Sequence, residues 1–279
     1  MPRFPLMLLL ATSLASAQNI KLPLKPNSVR FAFFGDTGTG EKPQYDVAKQ
    51  MEKYRAAFPF DFVIMLGDNL YDGAAPADYK RKFEDPYKPL LDAGVTFYAS
   101  LGNQDDDSEL AFKPFHFGGK RYYSFQKGDV DFFVLDSNNM DNAQVDWLRA
   151  QLAASKALWK ICYFHHPLYS YTKSKLDEPA LRKRIESIMD EGGVGAVFSG
   201  HDHVYERIKP QHGVYYFVLG NGGQLRLHNL KSSPVTVKGF DTDRAFGLAE
   251  ISGDQLYFQV ISRTGDTVDS AALPLLNKK

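Results

Sequence analysis

Phe62-Val-Ile-Met-Leu-Gly-Asp68 is a run of five large apolar residues that ends on glycine and then on a carboxylate. Such a short apolar run, stopped by Gly and Asp, reads as a strand buried inside a parallel or mixed sheet. The carboxylate then falls on the loop beyond the carboxyl end of the strand, where open α/β sheets build their sites. The pattern recurs in Phe31-Ala-Phe-Phe-Gly-Asp36, Tyr98-Ala-Ser-Leu-Gly-Asn103, Ile161-Cys-Tyr-Phe-His165 and Val197-Phe-Ser-Gly-His201-Asp-His203. Glycine ahead of the polar residue predicts a sharp turn and a close approach of backbone to a ligand. The intervals are irregular, so this is no solenoid repeat.

Between these strands the spacing predicts a helix over 42–57, with Tyr45, Ala48, Met51 and Tyr54 three or four residues apart. A shorter polar helix is expected around Asp78–Phe83. A hairpin is expected from 122–126 and 130–135 across Lys127-Gly128-Asp129. Further helices read over 142–155, with Asn142 as N-cap, and over 179–191. From Val204 onward only strands are expected, at 204–209, 214–219, 245–251 and 255–261. Strand–helix alternation argues for a mixed sheet core with helical cover.

The 279 residues are 44% hydrophobic, with 21 Phe and 15 Tyr, enough for a deep core. Basic and acidic residues balance at 33 each, so no global field draws the chain to nucleic acid or anionic membranes. Residues 1–17 read as a secretory leader: Arg3, an apolar Phe4–Leu14 segment, then Ala15-Ser16-Ala17. That segment is shorter than the about 20 residues a membrane span needs, so a secreted or periplasmic protein with no stable membrane anchor is expected. Residues 18–27 read as an N-terminal linker and 28–279 as a single domain, expected to be a monomer. Cys162, the single cysteine, permits no internal disulfide and reads as a small buried residue.

Oxygen and imidazole donors on five loops, with no thiolate cage, suit hard or borderline metals, and seven candidate donors exceed the need of one ion. Two metals sharing a carboxylate can polarise a phosphoryl group and lower the pKa of a bound water. In chain order Gly-Asp-Thr-Gly, Gly-Asp-Asn-Leu-Tyr, Gly-Asn, Phe-His-His-Pro and Gly-His-Asp-His resemble the motifs of the metallophosphoesterase superfamily. Within it, the purple acid phosphatase-like branch (tartrate-resistant acid phosphatase type) is the nearest in pattern. The resemblance implies a four-layer α/β/β/α sandwich of two mixed sheets, the calcineurin-like metallophosphoesterase fold. It implies Fe(III) held by Asp36, Asp68, Tyr71 and His203. A second ion, Fe(II), Zn or Mn, would be held by Asp68, Asn103, His165 and His201, with Asp68 bridging.

The family pattern usually continues Gly-Asn with a histidine that holds phosphate and protonates the leaving alcohol. Here Gln104 stands in that place, and an amide delivers no proton. The loop after His165-His166-Pro167, Tyr171-Thr-Lys173-Ser174-Lys175, has no histidine either. Candidate catalytic groups are therefore Gln104, His166, Lys175 and Asp105, although His166 is not expected as a ligand and is expected to point away from the ions, toward substrate or into plain packing. The expected activity is hydrolysis of a small phosphorylated substrate, acid phosphatase-like. A metal- or phosphate-binding protein that kept the cage and lost the acid is the competing expectation, and a phosphodiesterase has less in its favour.

Overall fold

The computed structural model describes residues 19–174 and 178–277; the expected leader and Lys175 lie outside them. Two sheets form the body. The first runs β13 (Thr267–Pro274), β12 (Gln255–Ser262), β11 (Ala245–Ser252), β1 (Val29–Phe34), β2 (Phe62–Met65), β3 (Thr96–Ala99). The second runs β10 (Thr236–Phe240), β8 (Tyr205–Gln211), β9 (Val214–Leu219), β7 (Ala196–Ser199), β6 (Trp159–Tyr163), β5 (Val130–Val134), β4 (Tyr123–Lys127). Both are mixed: β1, β2 and β3 are parallel, as are β5, β6, β7 and β9, while the outer strands are antiparallel.

Alternation along β1 decides which way each sheet faces. Phe31 and Phe33 point at the other sheet: the Phe31 ring lies 5.4 Å from Phe132 and 6.1 Å from Phe198, and Phe33 lies 4.8 Å from Phe198. Phe62 meets Phe132 at 5.4 Å and Phe217 meets Phe258 at 5.1 Å. Aromatic pairs like these each add about 0.5–1.5 kcal/mol beyond area burial, so the seam between the sheets is stiff. On the outer face Phe34 packs on Tyr87 of α3 (Asp85–Asp92), and Phe246 on Tyr54 of α1 (Lys42–Ala57). The second sheet is covered by α4 (Asn142–Ala154) and α5 (Pro179–Glu191), whose Leu148, Leu152, Ile185 and Met189 share a core with Cys162, Val197 and Tyr216. The result is the expected four layers.

Several local expectations need correction. The N-cap of α4 is Asp141, whose extended backbone lets its carboxylate accept from Gln144 N at 2.8 Å; Asn142 is already helical. The expected polar helix is longer: α2 (Pro76–Tyr79), a π-helical turn Lys80–Glu84 and α3 form one run, and because Pro86 inside it has no N–H, the Lys82 carbonyl accepts from Gln44 Nε2 at 2.5 Å. Residues 19–27 carry no strand or helix, but they are docked: Leu22 is in the core, and Leu24 and Lys25 donate backbone N–H to the buried Glu250.

Gly247 on β11 sits beside Phe33 in register, and a Cβ there would lie 2.1 Å from the Phe33 ring. Because Phe33 orients the strand that ends at Asp36, Gly247→Ala should overpack the seam. The expected loss is about 1–3 kcal/mol, measured as a lower denaturant midpoint at unchanged slope. An unchanged midpoint would mean the ring moves freely.

Candidate metal centre

The carboxyl ends of the central strands meet at one edge, and the two sheets are laced there by backbone. Gly35 N donates to Leu219 O at 2.8 Å and Gly222 N to Gly35 O at 3.1 Å. The seven predicted donors stand on five loops at this edge, those that follow β1, β2, β3, β6 and β7.

Two groups of donors share Asp68. In the first, Asp36, Asp68 and His203 offer atoms all within 4.8 Å of one another. Tyr71 Oη joins them, 3.2 Å from Asp36 Oδ1, 2.9 Å from Asp68 Oδ2 and 3.3 Å from His203 Nε2. In the second, His165 Nε2 lies 3.3 Å from Asp68 Oδ1, 3.0 Å from Asn103 Oδ1 and 3.1 Å from His201 Nδ1. Asp36, Asp68, Tyr71 and Asn103 come from the first sheet, and His165, His201 and His203 from the second.

The local backbone differs in kind from the expectation. Asp36, Asp68 and His201 themselves adopt left-handed φ of 57°, 51° and 66°, whereas Gly35 and Gly200 do not. Left-handed non-glycine residues are uncommon, least so for Asn, Asp and His, and they cluster where surrounding structure enforces them. The glycines serve mainly as clearance. A Cβ on Gly102 would lie 2.3 Å from Asp68 Oδ1, and one on Gly200 2.5 Å from Asp36 Oδ2. Only Gly67, at φ 86°, also supplies backbone freedom, and its face is covered by the His165 ring.

Around the donors stand residues that hold the loops. Asp105, expected as a candidate acid, is a brace: its carboxylate accepts from the backbone N of Asn69 (2.6 Å), Leu70 (3.1 Å) and Gly102 (2.7 Å). Burial, with Asp68 adding to it, pushes this carboxyl up, and burial beside Asp105 does the same to Glu109. Gln104 is exposed; its backbone N donates to Asp68 Oδ1 at 2.9 Å. His166 does not point away. Its ring is 4.4 Å from that of His201 and its Nδ1 is 2.9 Å from Ser137 Oγ.

Three further residues were missed by sequence reading. Lys82, buried, donates to the carbonyls of Tyr71 and Gly73 and pairs with Asp78 at 2.8 Å, which pins the Tyr71 loop. Asp202, buried between two donor histidines, takes the hydroxyls of Ser170 and Thr172. Arg226 donates its backbone N to His203 O at 3.0 Å. Lys82 and Arg226 follow no strand–Gly pattern, and Asp202, although inside the Gly-His-Asp-His motif, is set apart from the donors only by the hydroxyls it meets.

The electrostatics fit a cation. Burial, reinforced by Asp68, pushes the Asp36 carboxyl well above the usual range. Burial and both carboxylates push the Tyr71 phenol up as well. These groups gather negative charge that no lysine or arginine reaches among the described residues, and hard oxygen donors with neutral imidazoles suit a di- or trivalent ion. Burial lowers the imidazoles, to about 3 for His165 and His201 and about 4 for His203.

The calcineurin-like phosphoesterase family model matches residues 29–205. The chain belongs to that family. Purple acid phosphatase 7 of Arabidopsis thaliana is 25% identical over 94% of this chain and 92% of its own. Tartrate-resistant acid phosphatase type 5 of Rattus norvegicus is 23% identical over 89% and 91%. Among solved structures, GAP50 of Plasmodium superposes with a TM-score of 0.79 at 20% identity, covering 90% of each chain. A purple acid phosphatase from yellow lupin seeds gives 0.76 at 19%, covering 88% of this chain and 54% of its own. These likenesses establish the fold, two mixed sheets with helices in the calcineurin-like α/β sandwich.

For this member of the family the lowered imidazoles set a pH window. A neutral imidazole donates its lone pair, and an unperturbed one would protonate near 6.5. His165, His201 and His203 stay neutral until pH falls through about 4 and then 3. Asp36 acts oppositely, since its raised carboxyl must release a proton to a cation. Dialysis followed by elemental analysis should find metal retained at pH 5 and released as pH falls through 4 to 3. Release already near pH 6.5 would place the limiting proton on the raised Asp36 carboxyl or on an imidazole less lowered than these.

Proposed function

We propose that this chain is an exported phosphomonoesterase of the purple acid phosphatase type, working with two metal ions. The observation that carries the reading is Tyr71, whose hydroxyl stands within 3.3 Å of two carboxylates and an imidazole. A phenolate is a hard anionic donor that favours Fe(III). In this reading Asp36, Asp68, Tyr71 and His203 hold Fe(III), while Asp68, Asn103, His165 and His201 hold Fe(II), Zn or Mn. When bound, such a pair neutralises phosphoryl charge and acidifies water.

The rest of the work falls to side chains. Gln104, exposed beside Asp68, can donate a hydrogen bond to a phosphate oxygen. His166 is anchored through Nδ1 to Ser137; in the tautomer in which the Ser137 hydroxyl donates to Nδ1, Nε2 carries the proton and can donate to the ester or leaving oxygen. Asp105 is excluded from that role by its bonds to backbone. Asp136, buried, orders the Ser137 turn by accepting from Asn138 N at 2.9 Å and from Arg121 at 3.0 Å. A second reading, a binding protein on the same scaffold, draws support from Gln104 and from the neighbour described as the anchor in the inner membrane complex of Plasmodium.

Metal-loaded protein should hydrolyse an aryl phosphate between pH 4 and 8 and show a visible charge-transfer band that Tyr71→Phe removes. Phosphate binding without turnover would select the binding-protein reading, and a colourless iron-loaded protein would remove Tyr71 from the centre. His166→Asn should lower kcat on an alkyl phosphate by about 10²-fold or more at unchanged metal content, with a smaller loss on an aryl phosphate. Equal losses on both would mean that His166 only positions phosphate.

A further inference from the structure

Beside His203 a short arm of two segments, 171–174 and 226–231, leaves the metal edge. Thr172 and Leu230 form its antiparallel bridge, Lys173 N donates to Asn229 O at 2.7 Å, and Lys231 N to Tyr171 O at 2.8 Å. Arg226 lies at the inner end. Its backbone is bonded to His203, and Nη1 donates to Ser174 Oγ at 2.9 Å. That serine also takes Asn229 Nδ2 at 3.0 Å. A guanidinium has five N–H donors, and this half-buried one forms no ion pair within 4.0 Å among the described residues.

At the outer end the arm borders an open pocket of about 580 Å³ whose lining includes Lys173, His228, Lys231, Ser232 and Lys238. All three lysines are exposed, and none is paired with a carboxylate among the described residues. Asp241, the carboxylate on its wall, is bonded to Leu230 N at 2.9 Å, so it holds the arm. In a chain of 33 basic and 33 acidic residues this concentration of positive charge is local. The five steps from Arg226 to Lys231 span at most about 17 Å, which sets the upper limit on the separation of two anionic groups that touch both.

We propose that this pocket is a second anion site, and that the substrate is a small soluble molecule bearing at least two phosphoryl groups. One phosphoryl group lies at the metal edge against Arg226; the other sits among Lys173, Lys231 and Lys238. This rests on the phosphomonoesterase reading for the first group only. Lysines act as point charges toward phosphate, whereas Arg226 can make a forked contact, so the inner contact is directional and the outer one tolerant of shape.

The test compares fructose 1,6-bisphosphate with fructose 6-phosphate, by calorimetry and by turnover of the metal-loaded protein. The double variant Lys231→Ala/Lys238→Ala should weaken bisphosphate binding about tenfold and raise its KM, leaving the monophosphate within about twofold. Arg226→Gln should weaken both. Lys49→Ala/Lys53→Ala removes the same charge from α1 and should change neither. Equal bisphosphate binding in wild type and pocket variant, or equal losses in both lysine doubles, would overturn the proposal. If no ester is turned over but the pocket variant alone loses bisphosphate binding, the anion site stands and the phosphomonoesterase reading falls.

Discussion

The side-by-side burial of Asp36 and Asp68 is the constraint around which the rest of the molecule is arranged. Each is almost fully shielded from solvent, each is held in a left-handed conformation, and Asp68 adds to the cost of charging Asp36. Two carboxylates in that state are costly unless a cation sits between them. The tight aromatic seam, the glycine clearances and the hydrogen bonds across the edge all keep that arrangement from relaxing. Strain of this sort survives only where neighbouring structure over-determines it. Here the neighbours are Gly102 and Gly200, whose missing side chains leave the two carboxylates room.

Around this pair the loops are held by groups that touch no donor atom. Asp105 gathers the backbone of two loops, and Lys82 gathers the turn that carries Tyr71. Asp202 ties the Gly-His-Asp-His loop to Ser170 and Thr172. Buried charges of this kind act through geometry: removing one partner leaves the other without compensation. The donors therefore owe their convergence to a shell of polar residues as much as to the strands.

Much of this was legible in the chain. β1, β9, α1 and α5 begin and end where apolar periodicity and turn residues put them. β10 and β13 were missed because they lie at the sheet edges, where Thr236–Phe240 and Thr267–Pro274 are half-exposed and pair by backbone rather than by an apolar face. The seven candidate donors were legible because strand, glycine and donor are adjacent in sequence. Asp105 was misread for the reverse reason, since an acidic run carries no sign of the amides it will meet from residues 69 and 70. His166 was misdirected because its anchor, Ser137, lies 29 residues away. Contacts of that range come from tertiary folding, and no local pattern encodes them.

The donors are divided between the two sheets, with carboxylates, phenol and amide on one and imidazoles on the other. An ion held there would be a rivet through both halves of the sandwich, close to where Gly35 and Leu219 already join them. Free metal concentration then becomes a thermodynamic variable of sheet attachment, adding about 2.7 kcal/mol at a hundredfold excess over Kd. The metal supply of the compartment in which the chain works would thereby govern the lifetime of the fold as well as its chemistry, and chelation would loosen first the edge at which the donors converge.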